Sequence, residues 1–408
     1  MKKAFKLFGI IAIIAMIGFS MVSCGDDPEP EKQTPVASDY TIGNLNQEEN
    51  SVKAVTITPK SDKSTGAVSI KYAGSATIPQ KAGTYAVTFD VAEAPGWNAA
   101  TGLSAGNLIV YLPPWKAVAN STFDTTPIYG IIYANSRFVA FSSNGKMATS
   151  ADGITWTAVS NNTFGTSYIW AIAYGNNKFV AGGNDGKMAT STNGTTWTAV
   201  SNSTFGTSYI TTIAYGNDKF VAGGSGGKMA TSADGTTWTT VTDSTFGTSE
   251  IHLIAYGNGK FVAVWSNSNM ATSTDGTSWT PVMDSTFGTS IIEAITYGNN
   301  KFVAVGRNGK MATSTDGTTW TAVDVSSIFG NGTFNTIRAI AYGNGKFVAG
   351  GYNGKMATST DGTTWTAVDL LELDASIFGT GTINAITYGN GKFVAGGDNG
   401  KMAYLTGN

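Results

Sequence analysis

Histidine and cysteine are almost missing from this chain of 408 residues, which holds one of each. A lone cysteine excludes an internal disulfide, and the two residues together leave no zinc or copper cluster of the Cys/His kind. Charge is sparse too. Asp, Glu, Lys and Arg make up 13% of the chain, the net charge is −2, and the only arginines are Arg137, Arg307 and Arg338. With no basic stripe to follow a phosphate backbone, nucleic acid is excluded as a partner. Beyond the N-terminal segment there is no helical periodicity. The 51 glycines are turn residues, and none forms a phosphate-cradling loop ahead of a helix. No cofactor is expected.

What the chain has in quantity is repetition. Tryptophan recurs at Trp115, Trp156, Trp197, Trp238, Trp279, Trp320 and Trp365, at intervals of 41 residues five times and then 45. One unit, residues 171–200, holds four short runs rich in β-branched and aromatic residues, separated by Gly, Asn and Asp turns. Four strands in a repeat of this length is the arithmetic of a β-propeller blade. A Phe-Val-Ala strand begins seven times, at Phe138, Phe179, Phe220, Phe261, Phe302, Phe347 and Phe393. The first tryptophan strand precedes every other blade element, and the last repeat has none. The strand at Trp115 is therefore expected to complete the blade built from residues 383–406, which closes the ring and removes its open edges. The expected fold is all-β, a seven-bladed β-propeller of four-stranded blades over residues 113–408, preceded by a small β-sandwich.

The turn before each tryptophan strand reads Ser-x-Asp-Gly-x-Thr-Trp at Asp152, with counterparts at Asn193, Asp234, Asp275, Asp316 and Asp361. Asx-Gly supplies the positive backbone angles of a tight hairpin, and the Asx side chain bonds nearby amides. These copies resemble the Asp-box (BNR, sialidase-like) propellers, whose pattern S/T-x-D-x-G-x-T/S-W is one residue longer. The resemblance implies a structural rather than catalytic role for the six boxes. Methionine in each Gly-Lys-Met-Ala strand (Met147, Met188, Met229, Met311, Met356, Met402) recurs with the repeat and reads as core.

Three segments precede the propeller. Residues 1–23 carry Lys2, Lys3 and Lys6 before an apolar run, and Met21-Val-Ser-Cys24 follows. This resembles the signal and lipobox of bacterial lipoproteins, which implies lipid on Cys24 and a membrane-anchored protein of the cell envelope, at the outer membrane or cell surface. Residues 24–39 begin acidic and proline-bearing and are expected to be a disordered tether. Residues 40–112 show alternating strands at 54–58, 68–72, 85–91 and 108–112. Ala82-Gly-Thr-Tyr-Ala-Val-Thr88 is similar to a strand of small bacterial Ig-like modules, and implies a sandwich acting as a spacer.

The repeats disagree in one place. The loop after the first strand and the turn before the tryptophan are monotonous, and both fall at one end of a meander blade, the lower face. At the opposite, upper face, the residue opening the first strand is Tyr129, Trp170, Thr211, His252, Glu293, Arg338 and Asn384 in turn, seven different residues in seven copies. Two positions earlier stand Pro127, Tyr168, Tyr209, Glu250, Ile291, Thr336 and Thr382. The turn between second and third strands gives Ser143, Asn184, Ser225, Ser266, Arg307, Tyr352 and Asp398, with Trp265 beside Ser266. Drift at unconstrained positions deposits small polar residues, whereas these columns collect Trp, Tyr, Arg, Glu and His, the types found in recognition surfaces.

The expected ligand-binding set is Tyr129, Tyr168, Trp170, Tyr209, Trp265, His252, Glu293, Arg307, Arg338, Tyr352, Asn384 and Asp398. The aromatics would offer flat faces to sugar rings or side chains, and the others hydrogen bonds and charge. The expected function is that of a non-catalytic, monomeric envelope lipoprotein whose upper face binds a glycan or a protein. Two alternatives stand beside it. One is a glycoside hydrolase, since Asp-box relatives include sialidases and glucanases, with Glu293 and either Glu250 or Asp398 as the acid pair. Three arginines that should not converge, Arg137 being in a lower loop, count against a sialidase. The other alternative is a scaffold of an envelope assembly. The apolar Trp265 and the longer connections at 324–338 and 369–384 are expected to wall the binding site.

Overall fold

A computed structural model describes residues 31–49, 51–81, 83–111, 115–242, 245–368 and 375–406. The expected signal, Cys24 and residues 369–374 of the second long connection lie outside them. The chain divides into two compact units, one of residues 1–47, 53–79 and 84–109 and one of 48–52, 80–83 and 110–408.

The first unit has two sheets. Tyr40–Gly43 pairs antiparallel with Thr56–Pro59, and a four-stranded sheet runs in the order Asn46–Glu48, Ala100–Tyr111, Gly83–Val91, Val68–Tyr72. Alternation along Gly83–Val91 buries Val87, Phe89 and Val91 on one face, as the two-residue period of a strand requires. Tyr40 meets Phe89 edge-on at 5.1 Å and so joins the two sheets. The tether expectation needs correction at its end. Gln33 bridges Trp97, Asn98 N donates to the Gln33 carbonyl at 2.7 Å, and Lys32 pairs with Glu93. Residues 31–39 are thus built into the unit, because the 93–98 loop supplies partners that their own composition does not reveal.

The second unit contains, among the described residues, seven four-stranded antiparallel sheets, six of them with their strands in chain order from the inside out. Blade 2 is representative, with strands Ile169–Gly175, Lys178–Gly183, Met188–Ser191 and Thr198–Ala199. In blade 7 the fourth strand comes from the start of the unit: Lys116–Ala117 pairs with Met402–Thr406, Ala117 facing Ala403. Innermost strands of successive blades pack side by side around the ring, Ile383–Gly389 against Ile128–Ala134 included. The core lies between blades. Val180 and Met188 of blade 2, for example, pack with Phe205, Ile210, Ile213, Phe220 and Trp238 of blade 3 and its entry. Each such buried side chain contributes roughly 1.5–3 kcal/mol, and the six methionines of the repeat are all buried.

The lower face is uniform because its residues hold blades together. Asn176 Nδ2 donates to the Ala233 carbonyl in the tryptophan turn of the next blade at 3.2 Å. Asn135, Asn217, Asn258, Asn299 and Asn390 make the same bond to Thr192, Thr274, Thr315, Thr360 and Ala151. Within each turn the acidic side chain ties down the backbone. Asp234 Oδ1 accepts from the N–H of Thr236 and of Thr237, both at 2.8 Å, and Trp238 Nε1 donates to the Gly235 carbonyl at 3.1 Å. Asn193 does the same with its amide oxygen. At Asp152 burial pushes the carboxyl up, but the N–H groups of Thr155 and Ile154 outweigh it and bring the pKa from 3.8 down to about 2.

Candidate functional site: the upper mouth of the ring

The seven-fold variable position has a structural definition. In blade 2, Ile169 faces Gly183 and Ala171 faces Gly182, so Trp170 between them has no cross-strand partner. The same register shift falls at Tyr129, Thr211, His252, Glu293, Arg338 and Asn384. All seven are β-bulge residues. A bulge takes a side chain out of the ladder and re-aims it, which relieves the position of pairing and leaves it free to differ between copies.

The two other variable columns converge on the bulge. The N–H of Asn184 donates to the Tyr168 carbonyl at 3.1 Å, Ser225 to Tyr209 at 3.0 Å, Arg307 to Ile291 at 2.9 Å, Tyr352 to Thr336 at 3.0 Å and Asp398 to Thr382 at 3.0 Å. Each of these five blades therefore presents one three-residue patch, such as Tyr168, Trp170 and Asn184. The rest of the turn is constrained. Asp185 at its centre has φ +56°, a Cβ on Gly186 would collide with the Gly206 carbonyl, and Lys187 Nζ donates to the Phe164 carbonyl and to Ser167 Oγ at 3.2 and 2.8 Å. Only the first turn residue is released to vary.

Neighbouring patches touch, and they form two arcs. On blades 1 and 2, Trp170 stacks on Tyr168 (5.2 Å, 26°) and on Tyr129 (6.1 Å, 24°), while its Nε1 donates to Asn184 Oδ1 at 2.6 Å. Trp170 is the spine of a stack and not a free face. Tyr209 occupies on blade 3 the position of Tyr168 and is 44% exposed. On blades 5 to 7 the contacts are polar. Arg307 Nε donates to Glu293 Oε1 at 2.8 Å, Arg338 approaches Glu293 Oε2 at 3.7 Å, and Arg338 Nη1 donates to Asn384 Oδ1 at 3.4 Å. Asn384 Nδ2 then donates to Asp398 Oδ1 at 2.9 Å, and Asp398 Oδ2 accepts from Thr382 N at 2.9 Å. Two arginines meet through one glutamate, while Arg137 opens the second strand of blade 1 at the lower face.

Blade 4 lies between the arcs. His252 is half-buried, and its Nε2 is buried without a hydrogen-bond partner. Burial holds its pKa below 6.5 against the opposing pull of the Ile292 backbone and the Glu293 and Glu250 carboxylates. Glu250 accepts from Ser225 Oγ at 3.0 Å.

Two expectations are corrected. Trp265 does not present a face at the mouth. It extends the second strand to pair with Asn269 and packs edge-on against Phe246 at 5.0 Å. In the other six blades a lysine stands where blade 4 has Asn269, as Lys187 and Lys228 do over the carbonyls of Phe164 and Phe205. Trp265 covers Phe246 in its place. The turn keeps its shape, with Asn267 at φ +58°. The long connections differ from expectation as well. Their helical turns, Ser326–Phe329 and Ala375–Phe378, bury Phe329 and Phe378 in the inter-blade core. Residues 323–326 and Asn331 line a cleft of about 570 Å³ with Lys310 and Thr286. Tyr352 is half-buried at the start of its turn. Sequence reasoning listed the columns but missed the Arg-Glu-Arg-Asn-Asp chain. Its one trace was charge of alternating sign in successive copies.

A repeated framework with a non-repeated mouth is the architecture of a β-propeller, and the comparisons agree on that class. The family described as the DUF6242 beta propeller domain matches residues 163–286. Among solved structures the chain is similar to YCF48 bound to D1 peptide, with a TM-score of 0.56, 16% identity, and 72% of this chain and 97% of that one covered. YCF48 from Cyanidioschyzon merolae gives 0.54, 18%, 72% and 98%. The WD40 beta propeller domain of Doa1 gives 0.53, 10%, 71% and 96%. At these identities the likeness is one of fold. None of the curated proteins compared with the chain matches it.

Proposed function

We propose that the protein is a non-catalytic recognition propeller of the cell envelope, lipid-anchored through Cys24, which binds a glycan or protein with the upper mouth of its ring. The observation that carries this reading is the identity of the hypervariable column with the bulge residues of all seven blades. Seven re-aimed side chains, all different and five of them linked into an aromatic and a polar arc, form an asymmetric surface on a symmetric scaffold. Aromatic and arginine residues held in place by their neighbours are what a specific interface uses. The peptide-bound state of YCF48 is a precedent for ligand binding by a propeller of similar fold.

The hydrolase alternative draws little support from the geometry. Glu293 is engaged by Arg307 and Arg338, and both oxygens of Asp398 already accept hydrogen bonds within the polar arc. The test uses immobilised full-length chain and envelope glycans and proteins. Ligand retained by wild type and Lys178→Ala but lost from Trp170→Ala and Arg338→Ala is the expected result. Loss from Lys178→Ala with Trp170→Ala silent would overturn the reading. Turnover of sialosides or β-glucans that Glu293→Gln abolishes would replace it with the hydrolase.

A further inference from the structure

We infer that the aromatic arc on blades 1 to 3 is a binding platform for an uncharged polysaccharide chain. This inference rests on the upper-face reading above and adds the ligand class and the subsite. Among the described residues of the propeller, the large apolar side chains that stand well exposed are Tyr168, Trp170, Tyr209, Met283 and Phe334. Three of these five lie on adjoining patches of the upper mouth. They are 39%, 38% and 44% exposed, an amount of apolar surface that is unfavourable in water and gains by being covered.

The rings are held before any ligand arrives. Backbone bonds from Asn184 and Ser225 fix the carbonyls of Tyr168 and Tyr209, and Asn184 Oδ1 fixes the indole N–H. Tyr129 and Tyr168 brace the indole. A braced stack loses little conformational freedom on binding. Since Tyr129 and Tyr168 stack on the indole, the surface left for the apolar C–H faces of pyranose rings is that of Tyr168 and Tyr209, with the exposed part of Trp170 between them.

The groups beside the rings fit hydroxyls. Asn184 offers an amide, Ser225 a hydroxyl oxygen and Glu250 a carboxylate already oriented by Ser225, while the Thr211 hydroxyl is turned onto the Ile251 carbonyl. Charge does not favour an anionic chain. Arg307, Glu293, Arg338 and Asp398 occupy the opposite arc in one internally bonded chain. Near the platform the formal charges balance, Asp185 and Glu250 against Lys187 and Lys228, and both lysines are turned onto the carbonyls of Phe164 and Phe205. A polyanion finds no net positive charge to hold it here. An extended peptide usually gains its affinity from a free strand edge or from apolar pockets, and the platform is made instead of exposed rings rimmed by hydroxyl, amide and carboxylate groups.

The experiment is affinity gel electrophoresis of the full-length chain in detergent, through gels containing xylan, mannan, a mixed-linkage β-glucan, dextran or the anionic polygalacturonate. At least one neutral polymer should retard the protein. Trp170→Ala and Tyr209→Ala should each weaken that retardation at least tenfold, Trp170→Phe should retain most of it, and the lower-face variant Lys178→Ala should change it less than threefold. An unchanged melting temperature in the alanine variants keeps loss of binding distinct from loss of fold. No retardation by any neutral polymer, retardation by polygalacturonate alone, or retardation indifferent to Trp170→Ala would each overturn the inference. A peptide or protein ligand lost with Trp170→Ala would also overturn it while leaving the upper-face reading intact.

Discussion

The two ends of the propeller were made from the same repeat and have been put to opposite uses. At the lower end, an asparagine in six of the seven blades reaches into the next tryptophan turn, and a serine and an Asx residue brace that turn from within. Every variable of the repeat is occupied by a structural task, and identity is preserved. At the upper end the bulge residue is excused from the ladder by geometry, and the first turn residue contributes its backbone N–H whatever its side chain. Freedom from structural work is what allows the upper mouth to be written differently in every blade. The difference between the ends is therefore one of which atoms hold the fold, side chains below and backbone above.

That contrast breaks most visibly where stability depends on side chains. Trp238 is 7% exposed, packs against Phe220 at 6.4 Å and donates to Gly235. Trp238→Ala should cost about 3–5 kcal/mol, read as a large fall in the denaturant midpoint. Next in size is the lower clip. Asn217→Ala removes the 3.0 Å bond to the Thr274 carbonyl and should cost about 1 kcal/mol. At the upper face, Arg307→Ala should change stability by no more than about 0.5 kcal/mol, despite its visible contacts. A cost of 2 kcal/mol there would show that the polar arc is structural.

Acid sharpens the same comparison. The carboxyls of Asp152, Asp234, Asp275, Asp316 and Asp361 are all held below the ordinary 3.8. A carboxyl whose pKa is depressed by folding stabilises the fold above its unfolded value and loses that contribution as pH falls through its folded value. For Asp152 the window runs from 3.8 down to about 2, and for the others it extends lower. The ring should lose stability progressively below about pH 4. Asn193 supplies the same acceptor without titrating. Asp234→Asn keeps the acceptor but not the charge, so it should lower stability modestly at pH 7 and flatten the acid limb of a melting-temperature profile. A steepened limb would contradict this assignment.

Much of the fold was legible because its signals are local and repeated. The 41-residue interval, the Asx-Gly turns and the missing last tryptophan strand implied blades, hairpins and the closure by residues 116–117, all of which rest on period and turn chemistry. The variable columns were legible as variation but not as geometry. Nothing in the sequence marks Trp170 or Glu293 as a bulge, because a register shift is a relation between two strands. Trp265 looked like a mouth residue because it neighbours the turn, and only the contact with Phe246 shows it turned to the core. The ordering of residues 31–39 was hidden for a similar reason, its partners lying some sixty residues further on in the chain.

The central claim is that recognition belongs to the upper bulge ring and not to the lower face. A glycan array probed with wild type, Trp170→Ala/Arg338→Ala and Lys178→Ala tests it most directly, since Lys178 donates only to the Asp234 carbonyl below. Binding by wild type and Lys178→Ala, with none by the double variant, is the predicted result. Binding that survives the double variant and disappears with Lys178→Ala would contradict the account.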